Sequence, residues 1–288
     1  MFLAVEIGGT KLQVGVCDRH GRVRTLERRS VEREKGAAGI RAQIERLAPP
    51  LLAGVRAIGV GFGGPFDVER GRAIRSHQIA GWDGFPVKRW FERKFHLPVF
   101  VDNDQNCAAL AEATVGAGRG KRKVFYVTVG TGIGGGLVVD GELYNGRYGA
   151  AEIGYVKMFE RGRWRTVESL ASGLAIERGV STVPQAARYL GLALANMIAI
   201  INPDIVIVGG GVSLAGPKFF RPLRATVNRH VFPVFRRNFR IVPPALGETV
   251  VIVGAALLAS CSCAFMKRRG RGQAFGASQK RRYTGREL

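Results

Sequence analysis

The sequence predicts an α/β protein built as two related lobes with a cleft between them. Short β-branched runs interleave with segments of helical periodicity, a Gly/Thr turn between two strands recurs, and apolar residues make up 46% of the 288. The strand runs fall at about 2–7, 12–18, 55–61, 98–102, 124–129, 134–140, 205–209 and 239–242. Helical windows fall at about 37–53, 86–95, 105–116, 168–176, 184–201, 217–230 and 248–259. Because the two kinds alternate throughout, layers of helix on sheet follow.

The recurring unit sets the domain plan. Val5 to Val16, ending at Asp18, reads strand, Gly8-Gly9-Thr10 turn, strand; Val127 to Val138, ending at Asp140, repeats it at an offset of 122 residues. Asp140-Gly141 then signals a further hairpin. The expected lobes are 1–115 and 116–247, with the helix at 248–259 returning to the first lobe. Residues 260–288, with eight Lys/Arg, one Glu and few aliphatics, read as a disordered basic tail.

Charge first suggests a polyanion partner, since 44 Lys+Arg against 22 Asp+Glu gives +22. The tail accounts for +7 of this and leaves +15 on residues 1–259. No nucleic-acid recognition module accompanies it. The most apolar long window, Tyr189 to Val212, is interrupted by Asn196, Asn202, Pro203 and Asp204, so a buried helix and strand are expected there and not a membrane span. Met1 to Val5 runs straight into Glu6, too short for a secretory apolar region. Cys17, Cys107, Cys261 and Cys263 form no CxxC pair, and Cys261-x-Cys263 has no nearby His. A cytoplasmic protein without specific nucleic-acid or membrane partners is the expectation.

Glycine-rich turns let backbone N–H groups approach an anion. Gly59-x-Gly61-x-x-Gly64 and Gly130-x-Gly132-x-x-Gly135 both match GxGxxG, but a dinucleotide site requires a helix to open at the turn. Pro65 follows the first and a strand follows the second, so both fail that requirement. Gly120-Lys121 fails the P-loop pattern, with Val115 where a Gly is needed and Arg122 after the Lys. Two matching turns remain, one ending in Thr10-Lys11, either as tight hairpins or as a pair of phosphate cradles.

Glu6-Ile-Gly-Gly-Thr-Lys11, Gly61-Phe-Gly-Gly-Pro65, Asn103-Asp104-x-Asn106, Gly130-Thr-Gly-Ile-Gly-Gly-Gly136, Glu152-Ile-Gly154 and Glu168-x-x-x-Ser172-Gly173 occur in an order that resembles the ROK family of sugar kinases. Ile205 to Ser213 and Gly254 to Ala259 continue the resemblance, which spans roughly residues 2–259. It implies the actin-like ATPase (ribonuclease H-like) fold and transfer of phosphate from Mg·ATP to a hexose or N-acetylated hexosamine. By the same resemblance, Gly8, Gly9, Thr10 and Lys11 face Gly130, Thr131, Gly132, Ile133, Gly134, Gly135 and Gly136 across the ATP phosphates. Gly209, Gly210 and Gly211 lie against adenine and ribose, and Asp104 is the general base. Gly64, Asn103, Glu152, Tyr155 and Glu168 join Asp104 around the sugar, and Glu6 helps hold Mg²⁺, through water. Without the resemblance, Asp102 and Asp104 read equally as turn or helix N-cap residues, Glu152 and Glu168 as solvated acids, and Trp82 and Trp164 as packing residues.

The chain departs from the family pattern at four places. Glu6 stands where the family has Asp, and Tyr155 where its Glu-x-Gly-His motif has the imidazole that serves sugar and a structural zinc. Val156 to Val167 holds no Cys or His, so no zinc is expected. Only Leu174 to Pro184 separates Ser172-Gly173 from the next helix, where relatives insert further helices. The leading expectation is a hexokinase of glucokinase type, with ATP, Mg²⁺ and hexose as partners and a homodimer allowed. The alternatives are a sugar-sensing repressor, a silent sugar-binding protein, a kinase for another hexose and polyphosphate as donor.

Overall fold

The computed structural model describes residues 1–76, 78–146 and 149–269, side chains of 264–269 excepted. The first half runs β1 (Phe2–Ile7), β2 (Lys11–Cys17), β3 (Val23–Ser30), α1 (Gly36–Leu47), β4 (Ile58–Phe62), β5 (Phe66–Asp67), β6 (Arg72–Ala73), α2 (Val87–Phe95), β7 (Val99–Asn103) and α3 (Asp104–Val115). The second runs β8 (Lys123–Val129), β9 (Ile133–Val139), β10 (Glu142–Leu143), β11 (Lys157–Glu160), β12 (Arg163–Thr166), α4 (Val167–Ala171), α5 (Gly173–Glu177), α6 (Val183–Ile201), β13 (Ile205–Gly209), α7 (Pro217–His230), β14 (Arg240–Val242) and α8 (Val250–Arg269).

Two five-stranded sheets result, ordered β3-β2-β1-β4-β7 and β10-β9-β8-β13-β14. In each, an antiparallel hairpin from the duplicated unit continues into parallel strands: β1 pairs with β4 and β4 with β7, β8 pairs with β13 and β13 with β14. Parallel strands are sandwiched between helices and are apolar on both faces. β1, β4 and β13 accordingly are buried along their whole length.

Helices α3 and α8 join the lobes. Ala108, Leu110 and Ala111 of α3 pack with Val253 and Leu257 of α8 onto Val124, Tyr126 and Ile207 of the second sheet. The opposite side of α8, Ile252, Ala255, Ala256 and Ala259, packs with Cys107 onto Phe2 and Ala4 of the first. Small residues let these backbones touch. A Cβ on Gly254 would overlap the Cys107 carbonyl, and one on Gly59 would overlap that of Ala255. The first GxGxxG therefore serves helix packing at Gly59.

Several expectations are corrected. The strand Val23–Ser30 went unforeseen, because an exposed edge strand carrying four charges has no apolar alternation to read. The helical window at 168–176 is two helices, since Ser172 leaves helical geometry and its Oγ caps α5 at Ala175 N (3.2 Å). The 37–53 window ends at Leu47, two residues before Pro49-Pro50. Residues 260–269, expected to be disordered, continue α8, while the rest of that tail lies outside the described residues. Trp82 is buried as expected, but Trp164 is 69% exposed, its ring paired across the β11–β12 hairpin with Phe159. Among the described residues no helix is long and apolar enough to cross a membrane.

Adding one methyl at the α3–α8 crossing tests the seam. Gly254→Ala is expected to cost about 1–3 kcal/mol by overpacking against immovable backbone. Urea denaturation reads this as a lowered midpoint at unchanged slope.

Candidate active site

The three parallel strands of the first sheet end side by side, Ile7 opposite Phe62 and Phe62 opposite Asn103. Three connections leave this edge together: the turn 8–11, the turn 63–65 and the start of α3. Gly8 N donates to Lys11 O (3.0 Å) and Gly63 N to Ile7 O (2.8 Å), which fixes the two turns against each other. Gln78 covers Gly9, and Arg33 Nε donates to the Gly9 carbonyl at 3.0 Å. Asn103 caps α3 by accepting from Gln105 N (2.8 Å), while its Nδ2 donates to Gly64 O (2.9 Å). Gly64 has φ +140°, a value that favours glycine, and so turns its carbonyl to meet Asn103.

Asp104 opens α3 beside these turns. Its Oδ1 is buried and has no hydrogen-bond partner. Burial, reinforced by the Glu6 carboxylate, pushes its pKa up to about 7, while backbone N–H groups and the more distant Glu152 act as smaller influences. Glu6 is buried too, and burial raises its pKa; one oxygen accepts from Gln13 Nε2, the other lies 3.4 Å from Lys11 Nζ.

On the second sheet β8 and β13 end together, Thr128 opposite Gly209. Gly130 N donates to Gly132 O (2.9 Å), Gly173 N to Gly130 O (2.7 Å), and Glu168 Oε2 accepts from Ile133 N (2.8 Å). Gly210, at φ +87°, lies against the Val129 backbone, and its carbonyl accepts from Ser213 Oγ (2.7 Å). No atom lies within 4 Å of a Cβ built on Gly130 or Gly211, so those backbone stretches face open space. The expected phosphate loop is thereby divided. Gly130, Thr131 and Gly132 form the accessible turn, whereas Ile133 to Gly136 are buried strand residues of β9, with Gly134 and Gly136 admitting α3.

A cleft of about 260 Å³ lies between the lobes, lined by Phe66, Asp102 and Asn103 on one side and Gly135, Asn145 and Glu152 on the other. Glu152 has a raised pKa, from burial first and from Glu168 second. Asn103 and Glu152 are thus brought to one cleft; Asp104 follows Asn103 in the chain and Glu168 acts on the Glu152 charge, but neither is among the residues lining it. Tyr155 is not among the residues lining it; it is 60% exposed. Among the lining residues that sequence reasoning missed are Asp102, read as no more than a turn or cap residue, and Asn145. The Asp102–Asn106 spacing of four on the way into a helix was a readable signal, while Asn145 lies 39 residues beyond Asn106 and gave none.

The donor set suits a hard cation brought in with phosphates better than a resident metal. Glu6 and Asp104 are carboxylates that repel one another, and among the described residues no group of three His, Cys, Asp or Glu stands ready to hold a metal. Two α/β lobes, each with a glycine turn at the carboxyl ends of its parallel strands and an enclosed carboxylate between them, define the actin-like ATPase class. The chain belongs to the ROK family, whose profile matches residues 2–187 and 177–261. It is 31% identical to a glucokinase of Thermotoga maritima, over 88% of this chain and 96% of that protein. The structure of a ROK hexokinase from Thermus thermophilus superposes with TM-score 0.81 at 31% identity, covering 92% of this chain and 99% of that one. A ROK family glucokinase from Streptomyces griseus, solved with glucose and AMPPNP, gives 0.77 at 29%, covering 90% and 98%.

The raised pKa makes Asp104 a destabilising ion in the free protein. Its folded value, about 7, lies above the ordinary 3.8, so the stability of the carboxyl form is present below that ordinary value and is lost as pH rises through about 7. Asp104→Asn, which cannot ionise, is therefore expected to melt several degrees above the wild type at pH 8 and level with it near pH 4, by scanning calorimetry without ligands.

Proposed function

We propose that the protein phosphorylates a hexose with Mg·ATP, glucose to glucose 6-phosphate, with Asp104 as general base. The unpartnered Oδ1 of Asp104, at the start of α3 beside the turns 8–11 and 63–65, carries this reading. A carboxylate without a hydrogen-bond partner beside a polar cleft is placed to receive a proton from a sugar hydroxyl, and a pKa near 7 suits the transfer at neutral pH. As that proton moves to Asp104, the hydroxyl oxygen bonds to the γ-phosphorus and the bond to the β–γ bridging oxygen breaks, leaving ADP. Asn103, Glu152 and the Gly64 carbonyl offer directed donors and acceptors to the other hydroxyls, with Glu168 beside Glu152.

The turns at 8–11 and 130–132 hold the phosphates by backbone N–H groups and Lys11, and the open backbone at Gly211 leaves room for the nucleoside. Phosphoryl transfer asks the protein for positioning and charge stabilisation and little covalent chemistry. Mg²⁺ would be met by Glu6 through water and would offset charge on the transferred phosphoryl group. Glucose is favoured because several relatives similar over most of the chain are named glucokinases and one a hexokinase. Others that cover most of the chain are named for beta-glucosides or N-acetylmannosamine.

A panel of glucose, mannose, fructose, N-acetylglucosamine and N-acetylmannosamine at fixed Mg·ATP is expected to give glucose the highest kcat/KM. A folded protein with no turnover on any of them overturns the reading, and turnover with polyphosphate in place of ATP would reassign the donor. Asp104→Asn is expected to lower kcat by about 10²–10⁴-fold with sugar affinity still measurable. In the wild type, kcat/KM is expected to fall about tenfold per pH unit below about 7, where the free enzyme's base is protonated.

A further inference from the structure

We infer that Asp102 is a positioning residue that holds the sugar-facing walls of the two lobes in register through a closed triangle with Asn106 and Asn145. Asp102 is 2% exposed and sits at the end of β7, one residue before Asn103. Its Oδ1 accepts from Asn106 Nδ2 (2.8 Å) and from the Asn103 backbone N–H (2.7 Å). Its Oδ2 accepts from Asn145 Nδ2 (2.9 Å), and the Asn145 carbonyl accepts from Asn106 Nδ2 at 3.0 Å. Asn145 follows β10 of the second sheet, so the triangle ties that lobe to the strand and helix that carry Asn103 and Asp104. All three side chains line the cleft.

The hydrogen-bonding inventory shows why one corner must be a carboxylate. Asn106 presents a single end, its NH₂, to both neighbours, whereas residues 102 and 145 each present two ends. With amides at all three corners, the ends of 102 and 145 that face Asn106 must be alike. Their remaining ends are then alike too, and meet as donor against donor or acceptor against acceptor. Flipping any amide moves the mismatch to another edge without removing it. A carboxylate at 102, acceptor at both oxygens, closes the triangle. A carboxylate at 145 opposite an amide at 102 closes it equally well, and carboxylates at both corners face two acceptors across one edge.

This network uses both ends of Asn145 and both oxygens of Asp102, so it orients Asn103 toward a ligand without itself needing to touch one. The inference rests on the sugar-kinase reading above. Asp102→Asn and Asn145→Asp are each expected to raise sugar KM and Kd by about tenfold or more, the scale of one lost or opposed hydrogen bond. KM for Mg·ATP should move less than threefold. The double variant Asp102→Asn/Asn145→Asp, which redraws every bond of the triangle, should restore sugar KM to within about threefold of wild type.

Calorimetric sugar affinity, steady-state kinetics and melting temperature on all four proteins supply the test. Singles that leave sugar affinity unchanged overturn the inference even if they melt lower, because the triangle is then a fold contact only. A double variant no better than the worse single overturns it as well. Wild type that binds sugar without phosphorylating it sinks the kinase reading and leaves the triangle to be judged on Kd. Wild type that binds no sugar overturns both.

Discussion

The close crossing of α3 and α8 is the constraint on which the remaining structure depends. Gly254 against the Cys107 carbonyl lets the two helices meet backbone to backbone, and each helix then presents one side to each sheet. That contact decides where the first residue of α3 lies. Asp104 is that residue, so the candidate base is placed by a helix-packing seam and not by its loop alone. Asn103, which caps the same helix and binds the Gly64 carbonyl, ties the end of β7 to the turn after β4. The geometry of the candidate site is thus a consequence of how closely two apolar helices approach.

A second buried acid braces the far end of α3. Glu112 is fully buried, with one oxygen accepting from Ala245 N and Leu246 N at 2.9 Å each and the other from Ala117 N at 2.7 Å. Three backbone donors satisfy a carboxylate that, among the described residues, no salt bridge accompanies. The helix is therefore held at its carboxyl end to the segment leading into α8 and at its amino end to the wall of the candidate cleft. Asp104 differs from Glu112 in one respect that matters: one of its oxygens has no partner. Glu112 is a joint, whereas Asp104 keeps one acceptor unused, as the proposed base requires.

Much of this was legible in the sequence. The strand–turn–strand duplication gave the hairpin of each sheet, and the motif order gave the fold family and singled out Asn103 and Glu152, which both line the cleft. Legibility failed where the deciding contact is long-range. Nothing near Asn145 announces a partner in Asp102, and the exposed edge strand Val23–Ser30 lacks the apolar alternation by which strands are read. Tyr155 marks a different limit. Its place in a motif implied a sugar contact, but the following segment folds as the β11–β12 hairpin and the ring lies at 60% exposure, outside the cleft lining. Motif position fixes where a backbone goes more securely than where a longer side chain points.

The charge of +22 takes its meaning from where the acids are. Glu6, Asp102 and Glu112 are buried, and Asp104 has an enclosed oxygen, all in or beside the elements that frame the cleft. Between Asp204 and Glu248 there is no acid at all, and Lys218, Arg221, Arg224, Arg229, Arg236, Arg237 and Arg240 are exposed. A chain with few acids that buries several of them leaves its surface more basic than its composition suggests. Such a surface draws anionic ligands from a distance but fades over about 8–10 Å in physiological salt, so it assists encounter and does not choose the ligand. Choice falls to short, directed contacts inside the cleft, where carboxylates and amides outnumber cations. That division explains why the strongest compositional signal of the sequence, its charge, says little about the reaction proposed for the cleft, and why a few of its 22 acids say more.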